Sequence, residues 1–116
     1  MSVSAMTMAT DLGAVSHALS NIAQQAAATP AVGWKKLNFA DKLRAQASGA
    51  SNNVAKYSDP MATQIRVSVV GPLLSIKHNP GKGGSLGPEL AWHAANLSRR
   101  IDEAIRAAGG KIEPAG

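Results

Sequence analysis

Apolar residues recur along the first part of the chain at helical spacing. Leu12, Val15, Leu19, Ile22 and Ala26 are separated by 3, 4, 3 and 4 positions, which places them on one face and predicts an amphipathic helix over residues 11–28. Thr10 suits its N-cap, Asp11 the positive end of its dipole, and Pro30 its stop. The opposite face carries Ser16, His17, Ser20, Asn21, Gln24 and Gln25, polar but uncharged. That is the pattern of a helix whose outer face is only partly open to water.

A second, shorter helix is predicted over 39–48. Phe39, Leu43 and Ala47 form its stripe, Asn38 its cap, and Gly49 the residue just past its end, with Asp41 in the first turn. Residues 48–60 then read as a long loop in which Tyr57 is the only large apolar anchor. From 63 to 79 the period changes. Ile65, Val67 and Val69 alternate with Gln64, Arg66 and Ser68, and β-branched residues dominate. With Gly71-Pro72 as a two-residue turn, the run from Leu73 to His78 returns as a second strand. One face then holds Val69/Leu74, Val67/Ile76 and Ile65/His78, and the other sets Arg66 directly opposite Lys77. A single strand kinked at Pro72 is the alternative.

Asn79 to Pro88 is a glycine-rich connection, and the last helix is predicted over 88–108 on the stripe Leu90, Ala94, Leu97, Ile101, Ile105 and Ala108. Pro88 fits its first turn and Gly109-Gly110 its end, while Trp92 lies off the stripe. The expected fold class is therefore α+β: helix–helix–β-hairpin–helix in a single small domain over 10–110, its short antiparallel sheet packed on the long C-terminal helix. Residues 1–9 form an uncharged arm and 111–116 a loose tail. An isolated hairpin is marginal, so a further strand from the arm or from a neighbouring subunit is expected to complete the sheet.

Composition narrows the possibilities. Of 116 residues 45% are hydrophobic, but alanine supplies much of that, so the core is thin. Cysteine is absent, which removes disulfides, thiolate nucleophiles and cysteine-based zinc sites together. No apolar run approaches the roughly 18 residues of a membrane span, so no membrane partner is expected. Residues 1–9 lack the basic and apolar regions of a secretory signal, and Ser2 stands where myristoylation needs glycine. The expected setting is cytoplasmic, or otherwise intracellular, or within a virion.

Charge is distributed unevenly. Twelve basic against seven acidic residues give a net charge of +5. Residues 35–82 carry Lys35, Lys36, Lys42, Arg44, Lys56, Arg66, Lys77 and Lys82 against only Asp41 and Asp59. Of these, Lys35, Lys36, Lys42, Arg44, Arg66, Lys77 and Lys82 are the candidates for binding nucleic acid or another polyanion. Trp34 and Phe39 interleave with the bases, a mixture that suits stacking as well as phosphate contact, although scarce aromatics favour core roles. In the hairpin register the like-charged Arg66 and Lys77 either splay into solvent or hold an anion or a partner's carboxylate between them, flanked by Ser68 and Ser75 with Lys82 nearby.

Signatures of catalysis are missing. Ile76 stands where a Walker loop before Gly81-Lys82 needs glycine, and Leu86 breaks the dinucleotide fingerprint begun by Gly81 and Gly83. His17 is alone, His78 ends the second strand, and His93 lies one helical turn after Glu89, a pair suited to a surface hydrogen bond. No metal, cofactor or enzymatic activity is expected. The leading expectation is a non-enzymatic structural or assembly subunit, acting by self-association or by docking into a larger complex. Its composition suits small components of such assemblies, bacteriophage heads and tails included. Val3, Met6, Met8, Leu12, Trp34 and Trp92 are the candidate assembly contacts. The alternative is a basic nucleic-acid- or polyanion-binding module using residues 35–82.

Overall fold

The computed structural model describes residues 5–109, of which 88% are helical, with no strand among them. Helix α1 spans Ala5–Ala28, and a 3-10 turn, Ala31–Lys35, leads into α2, Phe39–Val54. Helices α3 (Asp59–Ile65) and α4 (Gly71–His78) are joined through a π-helical turn, Arg66–Val70, into one rod. A second 3-10 turn, Pro80–Lys82, runs straight into α5, Gly83–Ala107.

Counting the rod once, these elements make a four-helix up-down-up-down bundle. Helix α1 packs on α2 and α5, and the rod closes the square by packing on the other side of both. Polar clasps fix the antiparallel registers. Between α1 and α5, Ser16 Oγ lies 2.5 Å from Asp102 Oδ1 and 2.9 Å from Ser98 Oγ, and Ser98 Oγ donates to the Ser16 carbonyl at 2.9 Å. Between α1 and α2, Asn21 Nδ2 donates to Gln46 Oε1 at 3.0 Å, and Tyr57, in the turn after α2, donates to the Asp11 carboxylate of α1. Arg100 ties α5 to the rod at Gln64 Oε1, 2.7 Å away.

One continuous core fills the bundle, with Leu19 and Ile22 from α1, Leu43 and Val54 from α2, Leu73 and Ile76 from the rod, and Leu90 and Ile101 from α5. The α1 stripe Leu12, Val15, Leu19, Ile22 and Ala26 is buried throughout. So is the α5 stripe from Leu90 to Ile105, whereas Ala108 is exposed.

The α+β expectation is overturned at residues 63–79, which form the helical rod and no hairpin. Ala62, Ile65, Val69, Leu73 and Ile76 are buried, spaced by 3, 4, 4 and 3, which is the helical period over a longer window. Val67, assigned by alternation to the face of Ile65 and Val69, is 70% exposed. Ser58 caps the rod by accepting the Met61 N–H at 3.2 Å, and Pro60 follows in the first turn. Pro72 has no N–H to give, and the chain passes it on a π turn in which Gly71 N–H donates to Arg66 O, five residues back.

Smaller expectations are also corrected. Helix α2 continues past Gly49 to Val54, because Ala50, Ser51 and Val54 extend the buried stripe. Asn38 adopts a left-handed backbone (φ 62°) and makes no side-chain cap, while Thr10 lies inside α1 with its hydroxyl donating to Met6 O. The glycine-rich connection is largely the first turns of α5, so Pro88 falls inside that helix. Residues 1–4 of the expected arm and the tail 111–116 lie outside the described residues, and Ala5 to Ala9 belong to α1.

Candidate polyanion-binding end

Trp34 organises one end of the bundle. It is 2% exposed, and its indole lies in a notch on α5 made by Gly83 and Gly87. A Cβ at Gly83 would sit 2.2 Å from Trp34 Cγ, and one at Gly87 would sit 2.9 Å from Nε1. Phe39, at the start of α2, meets the same ring at a centroid distance of 5.3 Å. Trp34 Nε1 is buried without a hydrogen-bond partner, so the indole contributes packing alone. Pinning Trp34 inward leaves Lys35, Lys36 and Leu37 exposed at the tip.

Tertiary packing gathers further cations there. The two 3-10 turns touch, which brings the segment that carries Lys82 against the one that carries Lys35. Antiparallel packing of α2 and α4 sets Asp41 between Arg44 Nε at 2.8 Å and Lys77 Nζ at 3.1 Å. Hydrogen bonds from Arg44 and Lys77 hold the Asp41 carboxyl below the ordinary carboxylate range. Lys42 projects from the same first turn of α2. Neither α2 nor α5 has a side-chain cap at its N-terminus.

The end thus holds six cations (Lys35, Lys36, Lys42, Arg44, Lys77 and Lys82) against one carboxylate, Asp41. Elsewhere among the described residues Lys56, Arg66, Arg99, Arg100 and Arg106 balance Asp11, Asp59, Glu89, Asp102 and Glu103. Among the described residues, the net charge of +5 is therefore that of these six cations and Asp41, in a molecule whose principal extents are 45, 24 and 19 Å.

Arg66 is the candidate cation left out. It projects from the π turn, roughly 16 Å along the rod from Lys77 at about 1.5 Å per residue. The two are not cross-strand neighbours, Lys77 is paired with Asp41, and the anion seat expected between them is absent. Both aromatics are withdrawn from stacking, Trp34 fully and Phe39 in large part.

The assembly candidates are dispersed. Val3 lies outside the described residues, Leu12 and Trp34 belong to the core, and Met8 is packed against it. Met6 is 80% and Trp92 64% exposed. The uncharged face of α1, expected to meet a partner, is used in part within the chain through Ser16 on α5 and Asn21 on α2.

A groove of about 180 Å³ opens between the π turn and α5, lined by Val67, Ser68, Pro72, Leu86, Glu89, Leu90 and His93. Small-molecule sites usually enclose roughly 300–1,000 Å³. His93 Nε2 stands 3.8 Å from Glu89 Oε1, too far for the expected hydrogen bond and close enough for an ion pair when the imidazole is protonated. His17 and His78 are exposed on α1 and α4. Among the described residues no group of three or more His, Asp or Glu side chains could hold a metal ion.

Comparison with protein-family models, curated proteins and solved structures finds no match. Among the described residues no helix is long and apolar enough to cross a membrane.

Proposed function

We propose that this chain is a small non-enzymatic docking module that engages a polyanion through its basic end. The observation that carries this is the gathering of six cations against a single paired carboxylate, the net charge of the described residues, on the two 3-10 turns and the ends of α2, α4 and α5. Such a tip raises the local concentration of anionic partners and steers their approach. A setting inside a cell or a virion is proposed on the cysteine-free composition alone. Titration with heparin and with duplex DNA across a salt series tests the proposal. Affinity should fall steeply with salt, on DNA by a log–log slope of about 0.9 for each phosphate neutralised. Salt-independent binding, or none at low salt, would contradict it.

A second reading, self-association or insertion into a protein assembly, is favoured by a different surface. Trp92, 64% exposed, meets His93 edge-on at 5.1 Å beside the groove that Val67, 70% exposed, also lines. Light scattering should then give a species heavier than 11.9 kDa that Trp92→Gln returns to monomer.

A further inference from the structure

Two apolar side chains protrude from the basic end. Leu37 is 85% and Val32 72% exposed, and they bracket Lys35 and Lys36 in sequence. The bundle has no need of them there, since Trp34 and Phe39 already close this end of the core. We infer that the partner of this end is the surface of an anionic phospholipid bilayer, with Leu37 and Val32 entering the interface while the surrounding lysines meet lipid headgroups. The inference rests on the polyanion reading and names the class of surface.

Three observations favour a bilayer over a nucleic acid. Apolar tips among cations gain by entering the boundary between headgroups and acyl chains, whereas a phosphate backbone offers them nothing. A single strand would need exposed aromatic rings on which bases stack, and Trp34 is buried here with Phe39 largely covered. The cations are also spread over the two 3-10 turns and the ends of α2 and α4, in a molecule whose two shorter extents are 24 and 19 Å, and a broad anionic surface can meet several of them at once. The lack of a spanning helix bears on crossing a bilayer, not on adsorption to one.

Vesicle co-sedimentation separates the possibilities, with vesicles of phosphatidylcholine alone and of phosphatidylcholine mixed with phosphatidylserine. Duplex and single-stranded DNA are titrated in parallel at the same salt. The protein should bind the mixed vesicles and not the neutral ones. Val32→Gln with Leu37→Gln should weaken vesicle binding by roughly tenfold or more, the scale expected for losing one or two buried aliphatic groups. The same pair should leave DNA binding unchanged and, both residues being exposed, leave the helical circular dichroism intact. Vesicle binding unaffected by the apolar pair overturns the inference. Binding to DNA without binding to mixed vesicles also overturns it and leaves the polyanion reading standing. Binding to neither overturns both.

Discussion

Replacing Gly83 with alanine should destabilise the bundle, although alanine is the better helix former. In an open helical position the exchange gains about 1 kcal/mol from propensity. At Gly83 the new methyl would lie 2.2, 2.4 and 2.5 Å from Trp34 Cγ, Cδ1 and Cβ, whereas carbon atoms rest about 3.5–4.0 Å apart. The indole must therefore move by about 1 Å, and Phe39 at 5.3 Å limits where it can go. Overpacking of this kind costs about 1–3 kcal/mol and sometimes more, with the roughly 3–5 kcal/mol of truncating a buried tryptophan as a ceiling. A net loss of about 2 kcal/mol follows. Gly49 supplies the control, because it lies in α2, is exposed, and has nothing within 4 Å of a would-be Cβ. Gly49→Ala should stabilise by about 1 kcal/mol. The two variants should thus differ by about 3 kcal/mol, or roughly 12 °C in midpoint at about 4 °C per kcal/mol. Thermal and urea unfolding followed by circular dichroism measure both. If Gly83→Ala stabilises as much as Gly49→Ala, Trp34 does not sit in the glycine notch and the construction of the basic end is wrong.

Other outcomes follow from single contacts. Asp41 has a folded-state pKa below its unfolded value, so its contribution is present above the ordinary 3.8 and is lost as pH falls through the folded value. Asp41→Asn should therefore lower the urea midpoint near neutral pH and flatten its decline in acid; an unchanged acid limb would remove the staple between α2 and α4. Ser16→Ala strips a buried hydroxyl from Ser98 and Asp102, which predicts a loss of about 1–3 kcal/mol by urea unfolding. Exchanging His17, His78 and His93 together for Gln should leave polyanion binding at neutral pH unchanged, since none belongs to the cationic set. Loss of binding with the helical spectrum intact would turn attention to Glu89 and His93.

How much of this was legible in the sequence depended on which residues carry the period. In α1 and α5, Leu, Ile and Val mark the buried stripe, and both helices can be read directly from the spacing. In α2 the stripe passes through Ala50 and Ser51, weak signals set among Gly49, Asn52 and Asn53 that read as a loop. In the rod the buried positions include β-branched residues, and the exposed Val67 completed an accidental alternation with Ile65 and Val69. The contrary evidence was present as Ser58 with Pro60, a cap with proline in the first turn, and as the 3, 4, 4, 3 spacing from Ala62 to Ile76. The lysines of the basic end were visible one by one. Their convergence was not, because Lys77 and Lys82 reach Lys35 and Lys42 only through bundle packing. Glycines 83 and 87, which resemble loop residues, make sense only once the indole they admit is in place.

Two triple variants of equal net charge distinguish a built basic end from overall charge. Lys35→Gln, Lys36→Gln and Lys82→Gln remove three of the six cations of the basic end, whereas Lys56→Gln, Arg99→Gln and Arg106→Gln remove the same charge elsewhere. Duplex DNA serves as the polyanion for both, titrated across a salt series. The first variant should lose at least tenfold in affinity, its salt slope flattening by about 0.9 for each phosphate contact removed, while the second binds close to the parent protein. Equal weakening of the two variants would mean that overall charge and not a built end governs binding, and would contradict the account.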